Sequence, residues 1–191
     1  MHYEAIVIGV SSGGLKALKL IFSSLPSDFA IPIIVVQHVG PRSENSWIKL
    51  LTDNCNIPVK EADEKEKVRN GIIYIAPSNY HLLIEKDKTF SLTIDERVNF
   101  ARPSIDVLFE SAAEAYREKL IGIILTGANN DGARGVKRIK ELGGMVIIQD
   151  PETADSPLMP RSAIAAIQPD YIQSLDQIGK QIIKIILSNN T

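Results

Sequence analysis

The chain has 191 residues, of which 45% are hydrophobic and 23% charged, and its formal net charge is −2. These proportions exclude a disordered tail, a collagen-like fibre and a disulfide-rich scaffold, and they give no indication of a nucleic-acid partner. Cys55 is the single cysteine, so an internal disulfide is impossible. The length predicts one domain over residues 1–191. The sequence has no recognisable signal peptide or membrane-spanning run, which predicts a cytoplasmic protein.

Short apolar runs alternate with helical patterns in the first third of the chain. Residues 5–8 form a buried, β-branched run that ends at Gly9, and residues 31–36 form a second such run. Apolar residues recur at helical spacing from 15 to 25, and a short helix is predicted around Trp47. This alternation is typical of a parallel sheet with helices on both faces.

The segment from about residue 70 to 96 has a different pattern. Short apolar runs at residues 72–76, 81–84 and 90–94 are separated by turn-like stretches. They predict antiparallel hairpins appended to the sheet. The charge-rich residues 60–70 before them are predicted to form a solvated connection.

The alternating pattern returns after this insertion. Ser104 is predicted to cap a helix, and residues 120–125 and 145–148 read as further buried strands with a helix between them. Ser174 and Gln177 have the spacing of a capping box at the start of a last helix. The predicted fold is therefore a doubly wound, mostly parallel α/β sheet with helices on both faces and an appended antiparallel hairpin region.

Three polar residues follow predicted strands of the parallel sheet. Ser11 follows the first strand, His38 the second, and Asp131 lies in the loop after residues 120–125. Ligands bind at this edge of open parallel sheets, and a serine nucleophile needs a base to remove its proton. Two of these residues also have a structural explanation when taken alone: His38 as a satisfied strand-end histidine, and Asp131 as a turn or helix-capping residue. His81, among the hairpins, is predicted to be structural.

The segment Gly9-Val10-Ser11-Ser12-Gly13-Gly14 is compatible with several glycine-rich motifs. A Rossmann fingerprint fits poorly because Ser11 stands where a glycine should approach the pyrophosphate, and a P-loop fits poorly because Leu15 replaces its lysine. G-x-S-x-G is matched in full by residues 9–13. That motif exposes the serine hydroxyl on a sharp strand-to-helix turn, beside free N–H groups at the helix N-terminus. The chain order Ser, His, Asp differs from that of the usual α/β-hydrolases.

Further motifs occur in order along nearly the whole chain. They are Ile8–Gly14, Gln37-His38, Ile75–Pro77, Tyr80–Leu83, Arg102–Phe109, Leu125–Ala133 and Met159-Pro160. Together they resemble the catalytic domain of the chemotaxis protein-glutamate methylesterases, the CheB family. The resemblance implies that Ser11 is the nucleophile, His38 the general base and Asp131 the acid that orients His38.

The resemblance also implies a reaction and its partners. The implied reaction is hydrolysis of glutamate γ-methyl esters on chemoreceptors with release of methanol, together with deamidation of particular glutamines. Main-chain N–H groups at Ser12 and Ala128 are implied as oxyanion donors, and Met159 as a substrate-binding residue. No metal or organic cofactor is implied. The implied partners are methylated cytoplasmic helices of chemoreceptors and a separate receiver protein.

Two features depart from the family pattern. The Met-Gly pair of the acid loop is Ala128-Asn129 here. Because asparagine tolerates the left-handed conformation better than most residues, the loop and its Ala128 N–H are expected to survive, with a changed substrate-facing wall. Family members usually carry an N-terminal receiver domain, and this chain is predicted to lack one.

Two other functions remain open at this point. One is an esterase or amidase of the same fold with a substrate outside chemotaxis. Arg42, Arg102 and Arg161 either attract acidic receptor segments to the site or are ordinary surface arginines. The other is a non-catalytic module that binds phosphate or a nucleotide at the glycine-rich turn. The absence of a glycine at position 11 and of a lysine at position 15 argues against this second function.

Overall fold

The computed structural model describes residues 2–38 and 46–188. The strands in these ranges are β1 (Ala5–Val10), β2 (Ile33–Gln37), β3 (Val59–Glu61), β4 (Ile73–Ile75), β5 (His81–Ile84), β6 (Phe90–Thr93), β7 (Leu120–Ile124), β8 (Met145–Gln149) and β9 (Tyr171–Gln173). The α-helices are α1 (Gly14–Ser24), α2 (Ser46–Thr52), α3 (Ile105–Tyr116), α4 (Ala133–Glu141), α5 (Leu158–Ala166) and α6 (Leu175–Ser188). Short 3₁₀ helices lie at Arg117–Lys119 and Pro151–Thr153.

Seven of the strands form one parallel sheet, in the order β3-β4-β2-β1-β7-β8-β9. β1 lies at its centre and pairs in parallel with both β2 and β7. β5 and β6 form a separate antiparallel hairpin. The predicted fold class, a doubly wound and mostly parallel sheet with an appended hairpin, is confirmed.

The boundary between sheet and hairpin was predicted wrongly. Residues 72–76 were assigned to a hairpin, but β4 lies within the main sheet, parallel to β2 and β3. The predicted connection over residues 60–70 also begins with Lys60 and Glu61, which belong to β3. The apolar pattern of a three-residue strand identifies neither its partner nor its direction, and this explains both errors.

Both faces of the sheet are covered by helices. Alternate β1 residues point to opposite faces: Ile6 and Ile8 pack in the core beneath α1, α2 and α6, and Ala5 and Val7 in the core beneath α3, α4, α5 and the hairpin. Every residue of β1 is buried. This two-sided burial explains why its sequence is continuously apolar rather than alternating. No helix in the described ranges is long and apolar enough to cross a bilayer.

Two helices begin where predicted, but their caps differ from the prediction. The Ser104 hydroxyl makes no capping bond to α3 and donates to Asp131 instead. At the start of α6 the Ser174 hydroxyl donates to Asp176, while the Gln177 N–H donates to the Ser174 carbonyl oxygen. The capping box predicted from Ser174 and Gln177 is therefore not formed by their side chains.

Two glycines bring the helices to the end of β1. An added Cβ at Gly9 would lie 2.4 Å from Cγ2 of Ile105, so only glycine lets the N-terminus of α3 approach the strand this closely. Gly13, the N-cap of α1, has a φ of 80°, a left-handed conformation that glycine adopts without strain. The turn containing Ser11 is thus flanked by two positions that favour glycine.

Candidate active site

Ser11 and His38 are neighbours because of the register of the sheet. Val10 is paired with Gln37, so the next residues of β1 and β2 leave the sheet side by side. The His38 N–H donates to the Val10 carbonyl oxygen at 3.0 Å. On the other side the Ser11 N–H donates to the carbonyl oxygen of Thr126, which follows β7, at 2.9 Å. Ser11 therefore lies between the His38 strand end and the loop that carries Asp131.

The imidazole of His38 is bound to Asp131. His38 Nε2 lies 2.8 Å from Asp131 Oδ2. The His38 side chain is 12% exposed, whereas that of Asp131 is completely buried. The structure thus brings the predicted base and the predicted orienting acid into direct contact, with a small part of the His38 side chain left exposed.

The side chain of Asp131 lies at the N-terminus of α3. Its carboxylate accepts hydrogen bonds from the N–H groups of Ile105 and Asp106, from the Ser104 hydroxyl and from the Asn99 amide. Burial raises the pKa of Asp131, but the hydrogen bonds from His38, Ile105, Asn99 and Asp106 outweigh it and hold that pKa below its ordinary value. The helix N-terminus also favours a negative charge here. Asp131 is therefore an ionised, firmly held acceptor for His38.

Ser11 lines two cavities of different size. A cleft of about 260 Å³ is lined by Ser11, His38, Asn129, Phe100 and Arg97, among others. A larger cavity of about 950 Å³ lies on the α1 side of Ser11. The smaller cleft contains the base, so it is the place where a reacting group would meet both Ser11 and His38. The Ser11 hydroxyl has no hydrogen-bond partner within residues 2–38 and 46–188.

Two backbone amides are free to receive a negative charge beside Ser11. Within the described ranges, the N–H groups of Ser12 and Ala128 donate to no acceptor. The neighbouring N–H groups of Ser11 and Gly127 are occupied by the carbonyl oxygens of Thr126 and Ser156. Ser12 and Ala128 are both exposed. Free amides at the start of a helix and in a facing loop are the usual elements of an oxyanion hole.

A family model described as CheB methylesterase matches residues 6–182 of the chain. The chain belongs to the CheB methylesterase family. The match extends from β1 to α6 and includes Ser11, His38 and Asp131. The predicted family resemblance is confirmed, and a module that only binds phosphate at the glycine-rich turn gains no support.

Individual relatives agree with this membership. A protein of Leptospira interrogans is 60% identical over 189 residues, which are 99% of this chain and 98% of that protein. The protein-glutamate methylesterase/protein-glutamine glutaminase of Thermotoga maritima is 37% identical over 186 residues, and the match spans 54% of its length. The crystal structure of the Thermotoga maritima CheB methylesterase catalytic domain superposes with a TM-score of 0.92 at 37% identity, covering 97% of this chain and 100% of that one.

Met159 lies beneath the CheB-like site rather than in its cleft. The side chain is 1% exposed and packs against Gly127, where an added Cβ would lie 2.6 Å from the Met159 Cε. The Met159 N–H also donates to the Gly127 carbonyl oxygen at 3.0 Å. A substrate contact by this side chain was expected from the resemblance; its burial makes Met159 instead a support for the loop that presents Ala128.

Asn129 stands where the family pattern has glycine, but it does not adopt a left-handed conformation. Its φ is not positive, so the loop does not require a left-handed residue at this position. The side chain contributes instead. Asn129 Oδ1 accepts from the Asp131 N–H at 3.1 Å, and Asn129 Nδ2 lies 3.2 Å from His38 Nδ1. The departure from the family sequence therefore adds a side chain that contacts both His38 and Asp131.

Two supporting amides were not identified from the sequence. Gln37 Nε2 donates to the carbonyl oxygens of both Ser11 and His38, at 3.0 and 2.9 Å, and so ties the two strand ends together. Asn99 Nδ2 lies 3.0 Å from Asp131 Oδ1. The role of Gln37 could have been inferred from its position directly before His38. No signal near Asn99 indicated a contact with a residue 32 positions away.

His81 has the structural role predicted for it. It is 1% exposed, and its Nε2 lies 3.0 Å from the Glu96 carbonyl oxygen. Its Nδ1 accepts from the Ser104 N–H at 3.2 Å. Both ring nitrogens are therefore used inside the protein, where they fix the residue from which α3 begins.

The three arginines considered as receptor contacts differ in their surroundings. Arg102 donates to the carbonyl oxygens of Ile94 and Asp95, so its guanidinium fixes the chain next to the cleft. Arg161 is exposed and forms an ion pair with Glu152 at 3.1 Å. Arg42 lies outside the described residues. Arg97, which lines the cleft, was not among the predicted residues.

Proposed function

We propose that this chain is a protein-glutamate methylesterase in which Ser11 is the nucleophile, His38 the general base and Asp131 the acid that orients His38. The observation that carries the proposal is the contact between His38 Nε2 and the buried, ionised Asp131, with the imidazole facing the cleft that contains Ser11. Membership of the CheB methylesterase family supplies the reaction class.

The first half of the reaction forms an acyl-enzyme. His38 Nδ1 takes the proton of the Ser11 hydroxyl as Oγ attacks the ester carbonyl carbon. The carbonyl oxygen becomes an oxyanion, for which the free N–H groups of Ser12 and Ala128 are suitable donors. When the tetrahedral intermediate collapses, the C–O bond to the methoxy group breaks, and His38 returns its proton so that methanol leaves.

The second half releases the product by the same steps with water. His38 Nδ1 takes a proton from water as it attacks the acyl carbon, and that proton then returns to Ser11 Oγ as the bond between Oγ and the acyl carbon breaks. The product leaves as a glutamic acid side chain, which loses its remaining proton to solvent and becomes the carboxylate. A glutamine side chain follows the same sequence with ammonia in place of methanol. Asp131 remains ionised throughout and stabilises the imidazolium that forms in each half.

The substrates and partners are part of the proposal. Methylated glutamates on the cytoplasmic helices of chemoreceptors fit the reaction, and a separate receiver protein is the proposed regulator. An esterase of this fold that acts outside chemotaxis would share the chemistry at Ser11 and differ only in the surface that meets the substrate. Comparison of a methylated receptor with a small activated ester separates these two cases.

The decisive variant is Ser11→Ala, with Ser188→Ala as its control because Ser188 is an exposed serine at the end of α6. Ser11→Ala is expected to lose methanol release from a methylated receptor and turnover of p-nitrophenyl acetate, down to the residual level that oxyanion donors and binding supply alone. Ser188→Ala is expected to retain both activities. Chelation of divalent metals is expected to leave the rate unchanged, because His38 removes the proton without a metal. Retained turnover in Ser11→Ala would refute the proposal.

A further inference from the structure

The carboxamide of Asn129 has a defined orientation inside the site. Its Oδ1 accepts from the Asp131 N–H at 3.1 Å, and its Nδ2 lies 3.2 Å from His38 Nδ1. A backbone N–H can only donate, so the amide oxygen must face Asp131 and the amide nitrogen must face His38. The identity of the two amide atoms therefore follows from a contact that does not involve the histidine.

This orientation determines the tautomer of the neutral His38 ring. An amide NH₂ group only donates, so the Nδ1 of His38 must carry the lone pair. The hydrogen then resides on Nε2, which donates to Asp131 Oδ2 at 2.8 Å. Asn129 and Asp131 thus select the same tautomer from opposite sides of the ring. Nδ1 is consequently the atom that must accept the proton of Ser11.

Ser11 and Asn129 compete for this atom. A neutral imidazole has one acceptor nitrogen with one in-plane lone pair, which accepts one hydrogen bond at full strength. In the described part of the chain the Ser11 hydroxyl has no partner, whereas Asn129 Nδ2 lies within hydrogen-bond distance of Nδ1. In this structure the base is therefore engaged by the loop rather than by the nucleophile.

We propose that Asn129 is a positioning residue that occupies the base nitrogen of His38 in the free enzyme and releases it when substrate enters. The inference rests on the proposed roles of Ser11 and His38. Asn129 lines the cleft, so a carbonyl group bound there offers its NH₂ another acceptor. The exchange frees Nδ1 for Ser11, which makes activation of the serine dependent on a bound acyl group.

Kinetics of two Asn129 variants test the proposal. Asn129→Ala removes the competing donor, so kcat/KM for p-nitrophenyl acetate and the rate of Ser11 sulfonylation by phenylmethanesulfonyl fluoride are expected to rise, by about tenfold at most for one hydrogen bond of ordinary net strength. In sulfonylation Oγ–S forms, S–F breaks, fluoride leaves and the proton passes to His38. Rates equal to or below those of the wild type would overturn the proposal.

Asn129→Asp is the matched variant because it preserves the side-chain shape and an acceptor for the Asp131 N–H. It places a carboxylate opposite Nδ1, which stabilises the protonated ring. Ester hydrolysis is therefore expected to fall near neutral pH and to recover at higher pH. An unchanged pH profile would show that the side chain at position 129 does not face Nδ1, and that result would overturn the proposal.

Nuclear magnetic resonance gives a readout independent of rates. In ¹⁵N-labelled wild-type protein, a through-hydrogen-bond coupling is expected between Asn129 Nδ2 and His38 Nδ1. Resolved signals from both nitrogens without this coupling in the free protein would contradict the proposed contact.

A final comparison separates this inference from the function on which it rests. If Ser11→Ala combined with Asn129→Ala still hydrolyses the ester, Ser11 is not the nucleophile and the proposed function fails. If turnover requires Ser11 but Asn129→Ala is no faster than the wild type, only the role of Asn129 is refuted.

Discussion

Asp106 and Asp131 cap each other's helices. Asp131, which lies two residues before α4, accepts the N–H groups of Ile105 and Asp106 at the start of α3, at 2.7 and 3.1 Å. Asp106, in the first turn of α3, accepts the N–H of Gly135 in α4 at 2.7 Å. Asn99 Nδ2 joins the pair, since it lies 2.9 Å from Asp106 Oδ2 and 3.0 Å from Asp131 Oδ1. The orientation of the proposed acid thus depends on two helices that fix one another.

The two carboxylates are predicted to differ sharply in their importance for activity. Asp131→Asn removes the charge that stabilises the His38 imidazolium and is expected to lower kcat by up to about 10⁴-fold. Asp106→Asn is the matched control, because it changes a neighbouring buried carboxylate that does not contact His38. Its kcat is expected to stay within about tenfold of the wild type, since it acts only through the position of α3 and α4. Equal losses of kcat in both variants would show that the effect is on folding rather than on catalysis.

The pH dependence of stability is expected to differ in sign between the two groups. The pKa of Asp131 lies below its ordinary value of 3.8, so its stabilising contribution is complete above that pH and is lost as pH falls through the lower native pKa. Burial raises the pKa of Asp106 above the same ordinary value, and the nearby charge of Asp131 raises it further. Ionised Asp106 therefore costs stability at neutral pH, and that cost disappears as pH falls through its raised native pKa.

Urea titrations of the wild type and both asparagine variants between pH 2 and pH 7 measure these contributions. The difference in unfolding free energy between wild type and Asp131→Asn should shrink below pH 4. The unfolding free energy of the wild type should rise relative to that of Asp106→Asn as pH falls from neutral toward 4. Parallel curves for the two variants would contradict the assigned pKa directions.

The sequence predicted the meeting of Ser11, His38 and Asp131 better than it predicted their surroundings. Their convergence follows from one rule, because residues at the carboxyl ends of parallel strands share an edge of the sheet. The contacts of Asn99 and Asn129 depend on side-chain orientation in loops, for which no periodic pattern exists. β9 was missed for a different reason: it has three residues, each half-buried or exposed, and so lacks the apolar run by which a buried strand is recognised.

Gly9 is predicted to control the distance between β1 and α3. In Gly9→Ala the new methyl group would lie 2.4 Å from Cγ2 of Ile105, which forces α3 outward and costs about 1–3 kcal/mol of stability. Activity is expected to fall as well, because the Ile105 N–H that holds Asp131 moves with the helix. Thermal unfolding and ester hydrolysis measure the two effects.

A double variant checks the physical cause of that loss. Ile105→Ala removes the side chain that the new methyl group meets. The double variant Gly9→Ala with Ile105→Ala should therefore lose less unfolding free energy than the two single variants lose in total. Contacting residues typically couple by about 0.5–3 kcal/mol. Strict additivity would mean that the effect of Gly9→Ala arises elsewhere.

Phe100 is held in an unfavourable conformation at the rim of the cleft. Asn99 and Phe100 have φ values of 50° and 64°, and the flanking Val98 and Ala101 exchange backbone hydrogen bonds, as in a two-residue hairpin turn. A bulky residue with positive φ costs about 1–2 kcal/mol, yet the Phe100 side chain is 95% exposed. It lines the cleft beside Ser11 and His38, where it is available to contact a polypeptide substrate.

Asparagine accepts a positive φ more readily than phenylalanine does. Phe100→Asn is therefore predicted to weaken recognition of the receptor without lowering the stability of the protein. Phe100→Asn should leave the unfolding free energy unchanged or raise it by up to about 1 kcal/mol, while kcat/KM falls for a methylated receptor and stays the same for p-nitrophenyl acetate. Ile94→Asn is the control, since Ile94 is another exposed apolar residue, 71% accessible, that does not line the cleft. If both variants weaken receptor turnover equally, general surface hydrophobicity and not the placement of Phe100 governs the interaction. Equal losses on both substrates in Phe100→Asn would instead show that the ring serves the chemistry at Ser11.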